Sequence, residues 1–145
     1  MIPQRVSLIT IGGWDIAKLR QFYQLLGWEE TEFSSDEYAV FKTAGGMLSI
    51  WSIEQLGEDV SLPKHESPDY FRGVTLSINV DAAEQVDEVA MLVENAGGKI
   101  VKAPENAFWG GRIFLFLDPE NNLWEVAHNP GSVFDERGAI IDMKG

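Results

Sequence analysis

The sequence predicts an α+β fold built from two copies of one β-α-β-β-β unit. Three observations lead there. Apolar residues recur at helical spacing in two segments, Ile16 to Leu26 and Val86 to Val93. Short runs rich in β-branched and aromatic residues flank each segment, with glycine pairs between them. The halves can also be laid over one another. Arg5-Val6-Ser7-Leu8 falls on Gly73-Val74-Thr75-Leu76, Gly27 on Gly97, Gly46-Met47-Leu48-Ser49 on Asn122-Leu123-Trp124-Glu125, and Tyr38 on Phe114. A duplicated module is the economical explanation.

In chain order, Arg5 to Ile11 is an apolar, β-branched strand that stops at Gly12-Gly13. Asp15 is placed to cap the helix carrying Ile16, Leu19, Phe22, Tyr23 and Leu26, and Gly27 ends it. Trp28 to Phe33, Glu37 to Thr43 and Met47 to Ser52 read as three strands, turning at Ser34-Ser35-Asp36 and Gly45-Gly46. Pro63, Pro68 and scattered charges make the next stretch a linker, with one helical turn near Glu54 to Leu56. The order then restarts. Val74 to Val80 is a strand, Ala83 to Ala96 a helix closed by Gly97-Gly98, and Lys99 to Ala103 a strand.

The hairpin that follows is the most informative stretch. Arg112 to Leu117 and Leu123 to His128 are its arms, and Asp118-Pro119-Glu120-Asn121-Asn122 supplies the turn. Alternation sends Trp124, Val126 and His128 one way and Leu123, Glu125 and Ala127 the other. A carboxylate in mid-strand among apolar neighbours is either solvated or part of a site. All 145 residues fit one domain: module 1 at about 1–55, a linker at 56–72, module 2 at 73–130 and a tail at 131–145. Ala139-Ile140-Ile141 in that tail is apolar enough to dock.

Composition narrows the classes. A formal net charge of −12 disfavours nucleic acid and anionic membrane surfaces as partners. The absence of cysteine excludes disulfides, thiolate metal sites and cysteine nucleophiles. No leader pattern or membrane-length apolar run occurs, so a cytoplasmic protein is expected.

Pleat parity then sorts the side chains. Val74, Leu76, Ile78 and Val80 oppose Thr75, Ser77 and Asn79, while Ile113, Leu115 and Leu117 oppose Arg112, Phe114 and Phe116. If the aliphatic faces lie under the helices, the other faces form a concave surface. It collects Ser7, Ile9, Tyr38, Ser49, Trp51, Thr75, Ser77, Asn79, Phe114, Phe116 and Glu125. Aromatics mixed with a few polar groups are the usual make-up of a small-molecule site.

At this point the chain resembles the vicinal oxygen chelate superfamily of glyoxalases, bleomycin-resistance proteins and extradiol dioxygenases. The resemblance rests on R-V-S-L-I-T-I-G-G-W-D-I-A-K-L-R-Q-F-Y-Q-L-L-G-W and on W-G-G-R…D-P-E-N-N-L-W-E, and covers almost the whole chain. It implies paired modules forming a cup-shaped mixed sheet, often in a homodimer. It also implies a divalent metal held from four strand positions, which here match Ser7, Ser49, Thr75 and Glu125. Glu125 alone is a competent ligand there, short of the three or more that a catalytic site needs. His65 lies in the linker and His128 points away from Glu125. The expectation is no metal and no cofactor.

Beside a structural or regulatory module whose cup is filled by its own side chains or by the tail Gly131 to Gly145, two functions follow. One is a metal-free protein binding a small aromatic or cationic molecule. Its contacts would be Ser7, Ser49, Trp51, Thr75, Phe114, Phe116 and Glu125, with Tyr38, Trp109 and Arg112 at the rim. The other is an enzyme of lyase or dioxygenase type, with Glu125 the candidate general base. Glu125 capping a hydroxyl cluster, and Arg112 in a structural salt bridge, are readings that stand beside these.

Overall fold

The structure, a computed structural model, describes residues 1–61 and 71–144, so His65 lies outside the described residues. The chain packs as two units, Met1–Glu66 and Ser67–Gly145.

In the first unit, β1 (Leu8–Gly13) is followed by α1 (Ile16–Leu25), β2 (Ala39–Lys42), β3 (Met47–Ser52) and α2 (Ile53–Val60). The sheet order is β1-β3-β2, with β1 parallel and β2 antiparallel to β3. Asp15 caps α1 by accepting from the Lys18 N–H at 3.1 Å, satisfying a donor that the helix leaves unpaired. Leu19, Phe22 and Tyr23 are the buried stripe of α1, and Tyr23 meets Phe41 with ring centroids 5.9 Å apart. Phe41 is in phase with Ala39, and its register partner is Leu48. That face of the sheet is therefore the one under α1.

Three expectations for this unit need correction. The strand expected over Trp28 to Phe33 is a single bridge, Glu30 to Phe41. Arg20 gathers the segment instead, bonding the Glu30 carboxylate and the carbonyls of Ser35 and Asp36, and the Ser34 N–H folds back onto the Thr31 carbonyl. Second, Gly12 and Gly13 continue β1 rather than ending it. A Cβ on Gly12 would stand 2.6 Å from Ile53 Cδ1 and 3.1 Å from Leu56 Cδ1. The glycine is there for close approach, not for a turn. Third, the expected single helical turn is the two-turn helix α2, with Ser52 at its N-cap.

The second unit holds β4 (Thr75–Asn79), α3 (Ala83–Ala96), β5 (Lys99–Asn106), β6 (Arg112–Leu117) and β7 (Leu123–His128), then a separate hairpin of β8 (Ser132–Phe134) and β9 (Ile140–Met143). Its main sheet runs β4-β7-β6-β5, with β4 parallel to β7 and the other pairs antiparallel. α3 buries Val86, Ala90 and Val93. It ends at Gly97, whose φ of 100° is a left-handed conformation that side chains resist. The tail pairs with itself in the β8–β9 hairpin. Ala139 is buried, but Ile140 and Ile141 stay exposed, against the expectation that they dock.

Cross-strand register decides which face α3 covers. Phe116 lies opposite Trp124 and Phe114 opposite Val126 on β6–β7, while Leu76 and Ile78 of β4 pair with Trp124 and Val126. Phe114, Phe116 and Trp124 stack in sequence, with centroids 5.8 and 6.2 Å apart. Arg112, in phase with both phenylalanines, grips Asp87 on α3. Phe114 and Phe116 therefore form the core under the helix. The sequence reading had them on the face of Glu125; they lie on the opposite one. Among the described residues, no helix is long and apolar enough to cross a membrane.

Candidate functional site

The helix-free face of the second sheet carries Glu125. Its row across the sheet is Ser77 on β4, Glu125 on β7 and Leu115 on β6. On one side lies the row Thr75, Leu123, Leu117, and on the other Asn79, Ala127, Ile113. Ser77 and Thr75 are exposed, and Glu125, Leu115, Leu117 and Leu123 are half-buried. Ala127 and Ile113 are only 3% and 8% exposed. Glu125 has no hydrogen-bond or ion-pair partner among the described residues.

Trp109 closes the buried end of this face. Gly111 directly precedes β6 and continues its alternation, in phase with Ile113 and Leu115. A Cβ on Gly111 would overlap the six-membered ring of Trp109 and the His128 carbonyl oxygen. The missing side chain is the space the indole fills. Gly110, at φ 95°, and the bond from the Ala107 N–H to the Gly111 carbonyl at 2.8 Å make the tight reversal that folds Trp109 back. Phe108, at the same tip, is fully exposed.

The first sheet is arranged differently. Thr10 lies opposite Ser49 on β1–β3, and their hydroxyls are 2.6 Å apart. Ser49 is fully buried and its β2 neighbour Val40 is 2% exposed, so the middle of this face is closed. Half-buried Tyr38 and Trp51 meet edge to face at 6.4 Å beside it.

Of the expected site residues, Thr75 and Glu125 share a face in the second unit, and Trp109 reaches the end of it. Tyr38, Ser49 and Trp51 share one in the first. Ser7 does not. It precedes β1 in phase with Ile9 and Ile11, and its carbonyl accepts from the Met47 N–H at 3.0 Å. Thr10 stands where Ser7 was expected. Arg112 belongs to the helix side, donating to Asp87 at 2.7 and 2.9 Å and to Asn106 at 3.0 Å. The Arg112 hydrogen bond holds the Asp87 carboxyl below its ordinary value. His128 lies opposite Arg112 on that side, its Nδ1 3.5 Å from the Val80 carbonyl.

A family model described as Glyoxalase/Bleomycin resistance protein/Dioxygenase superfamily matches residues 5–126. The chain belongs to this superfamily. Among solved structures, a glyoxalase-related enzyme from Fulvimarina pelagi is similar at a TM-score of 0.88 and 26% identity, over 98% of this chain and 100% of that one. A lactoylglutathione lyase from Agrobacterium tumefaciens shares the fold at a TM-score of 0.63 and 18% identity, over 87% and 94%. The anthracycline biosynthesis protein DnrV of Streptomyces peucetius is 25% identical over 90% of this chain. The chain spans about half the length of that curated relative, 53%.

The superfamily's metal finds a poor fit in these residues. Thr10 and Ser49 are neutral hydroxyls bonded to each other, and Thr75 and Ser77 are hydroxyls beside one carboxylate. Hydroxyls bind zinc, nickel or iron weakly compared with imidazole. Among the described residues, no three His, Cys, Asp or Glu side chains come together.

Proposed function

We propose that this superfamily member binds a small aromatic or cationic molecule without a resident metal, with Glu125 as its polar anchor. The observation that carries the reading is a half-buried carboxylate without a partner among the described residues, in the middle of a sheet face bearing leucines and exposed hydroxyls. A carboxylate left so at the edge of apolar surface is ready to pair with an incoming cation or N–H donor. The net charge of −12 favours the same sign of ligand and raises its encounter rate. Trp109 offers an indole edge at the end of the face.

The test is a screen of small cationic aromatics by thermal shift and tryptophan quenching, run on parent and Glu125→Gln. Hydrogen bonds to a charged group are strong, so loss of about 10-fold in affinity is expected in the variant. Ligands that bind Glu125→Gln as tightly as parent remove Glu125 from the site. A second reading, a metal-assisted lyase or dioxygenase, draws on the likeness to the Fulvimarina pelagi glyoxalase-related enzyme. Elemental analysis separates the two: near one divalent metal per chain, lost in Glu125→Ala, would replace the metal-free reading.

A further inference from the structure

The face that carries Glu125 is not uniform along its length. At the Trp109 end, Ile113 and Ala127 are 8% and 3% exposed. At the other end, Leu117 and Leu123 are directly paired across β6–β7 and half-buried. Glu125 and Leu115 stand at the boundary between the closed and accessible halves. A molecule whose cationic end meets Glu125 therefore has one direction open to its remaining atoms along the strands: away from Trp109, over Leu115, Leu117 and Leu123. The accessible surface in that direction is aliphatic, because Phe114, Phe116 and Trp124 are buried on the other face. One step along the pleat from Glu125 to Leu123 is about 7 Å. Exposed Thr75, opposite Leu123, borders the same row with a hydroxyl.

We propose that the ligand is a short amphiphilic cation, its ammonium at Glu125 and its hydrocarbon body lying along Leu115, Leu117 and Leu123 toward the β6–β7 turn, with Trp109 as the end wall behind its head. This assignment rests on the ligand-binding reading above and narrows it. The leucine row offers aliphatic contact to that body, and the 43% exposed Trp109 indole stays behind the head.

The experiment uses primary n-alkylammonium ions from methyl to hexyl as probes, titrated calorimetrically against parent, Glu125→Gln, Leu117→Ala, Leu123→Ala and Trp109→Ala. In the parent, affinity should rise with chain length and level off once the leucines are covered. Leu117→Ala and Leu123→Ala should each flatten that rise, costing hexylammonium several-fold and methylammonium nothing. Trp109→Ala should leave the slope intact. Two leucine variants are used so that one failing to fold does not end the test. If Trp109→Ala flattens the slope and both leucine variants keep it, the body runs the other way and the assignment is overturned while Glu125 remains the anchor. If Glu125→Gln weakens no probe, the underlying binding site fails, whatever the leucines do.

Discussion

At the middle of the first sheet, buried Ser49 shares a hydrogen bond with half-buried Thr10, and buried Val40 stands beside it. At the corresponding place in the second sheet, Ser77 stands beside Glu125 and Leu115, and the carboxylate keeps contact with solvent. The strand orders match, β1-β3-β2 against β4-β7-β6. The difference is therefore one of side-chain chemistry on a common frame. Two hydroxyls can satisfy each other and be buried at little cost. A hydroxyl cannot neutralise a carboxylate's charge, and burying such a charge without a cation is expensive. At this position the first unit has a paired hydroxyl, and the second has a carboxylate without a partner among the described residues.

The strongest way to break the comparison is to test which side of each strand is core. Phe116→Ala should cost about 3–5 kcal/mol of stability by urea denaturation, as expected for a buried phenylalanine. Leu115→Ala, on the helix-free side, should cost clearly less, about 1–2 kcal/mol, because part of its area is already wet. Equal losses would mean the faces are misassigned.

A middle-sized effect sharpens the contrast at the centre of the sheets. Ser49→Ala removes a fully buried hydroxyl and leaves half-buried Thr10 without that partner, and should cost about 1 kcal/mol. Ser77→Ala removes an exposed hydroxyl and should change stability by less than about 0.5 kcal/mol. If the two substitutions are equivalent, the Ser49 hydroxyl is not buried as described.

The smallest effect concerns the arginine clamps, Arg20–Glu30 in the first unit and Arg112–Asp87 in the second. Burial alone would raise the pKa of Glu30, but hydrogen bonding and charge from Arg20, with help from Ser34 and Gln24, outweigh it and hold the carboxyl below 4.5. A carboxyl depressed on folding contributes stability above its unfolded pKa and loses it as pH falls through the folded value. Urea midpoints followed downward from pH 6 should decline below pH 4.5 in the parent, and Glu30→Gln should flatten part of that decline. An identical pH profile in Glu30→Gln would show that the clamp is unlinked to folding.

Much of the architecture could be read from the residues, and the failures share a cause. Met47 to Ser52, Ala83 to Ala96 and both hairpin arms fall where alternation, helical period and Gly97 put them. What was misread is phase. Leu8 lies opposite Met47 as Thr75 lies opposite Leu123, so Leu8 corresponds to Thr75 and not to Leu76. Side chains alternate with a period of two, so that single slip exchanges the faces of β1, putting Ser7 where Leu8 belongs and Ile9 where Thr10 belongs. On β6 the two faces, Ile-Leu-Leu and Arg-Phe-Phe, are both apolar enough for a core, and hydrophobicity cannot choose between them. Counting back from a hairpin that closes Leu117 onto Leu123 puts Leu115 opposite Glu125, a signal present in the turn length. The contact of α2 with Gly12 had no such signal, because a strand glycine and a turn glycine look alike until the group that approaches is known.

The turn at Asp118 has a bearing on how the second unit assembles. Asp118 accepts from the Glu120 and Asn122 N–H groups, both at 2.9 Å, and from the Asn122 amide, so the turn is complete within its own few residues. Arg72 then reaches across 50 residues to the Asn122 side chain and across 48 to the Glu120 carbonyl at 3.2 Å. The β6–β7 hairpin needs only a short loop to close, whereas β4 must travel around α3 and β5 to lie parallel to β7. The guanidinium thus bonds acceptors that the turn itself presents. It pegs the start of β4 to the β6–β7 turn, beside the register that sets Thr75 against Leu123 and Ser77 against Glu125. The hydroxyl neighbours of Glu125, Ser77 and Thr75, thus come from a strand on the far side of α3 in the chain, tied to the hairpin at its turn.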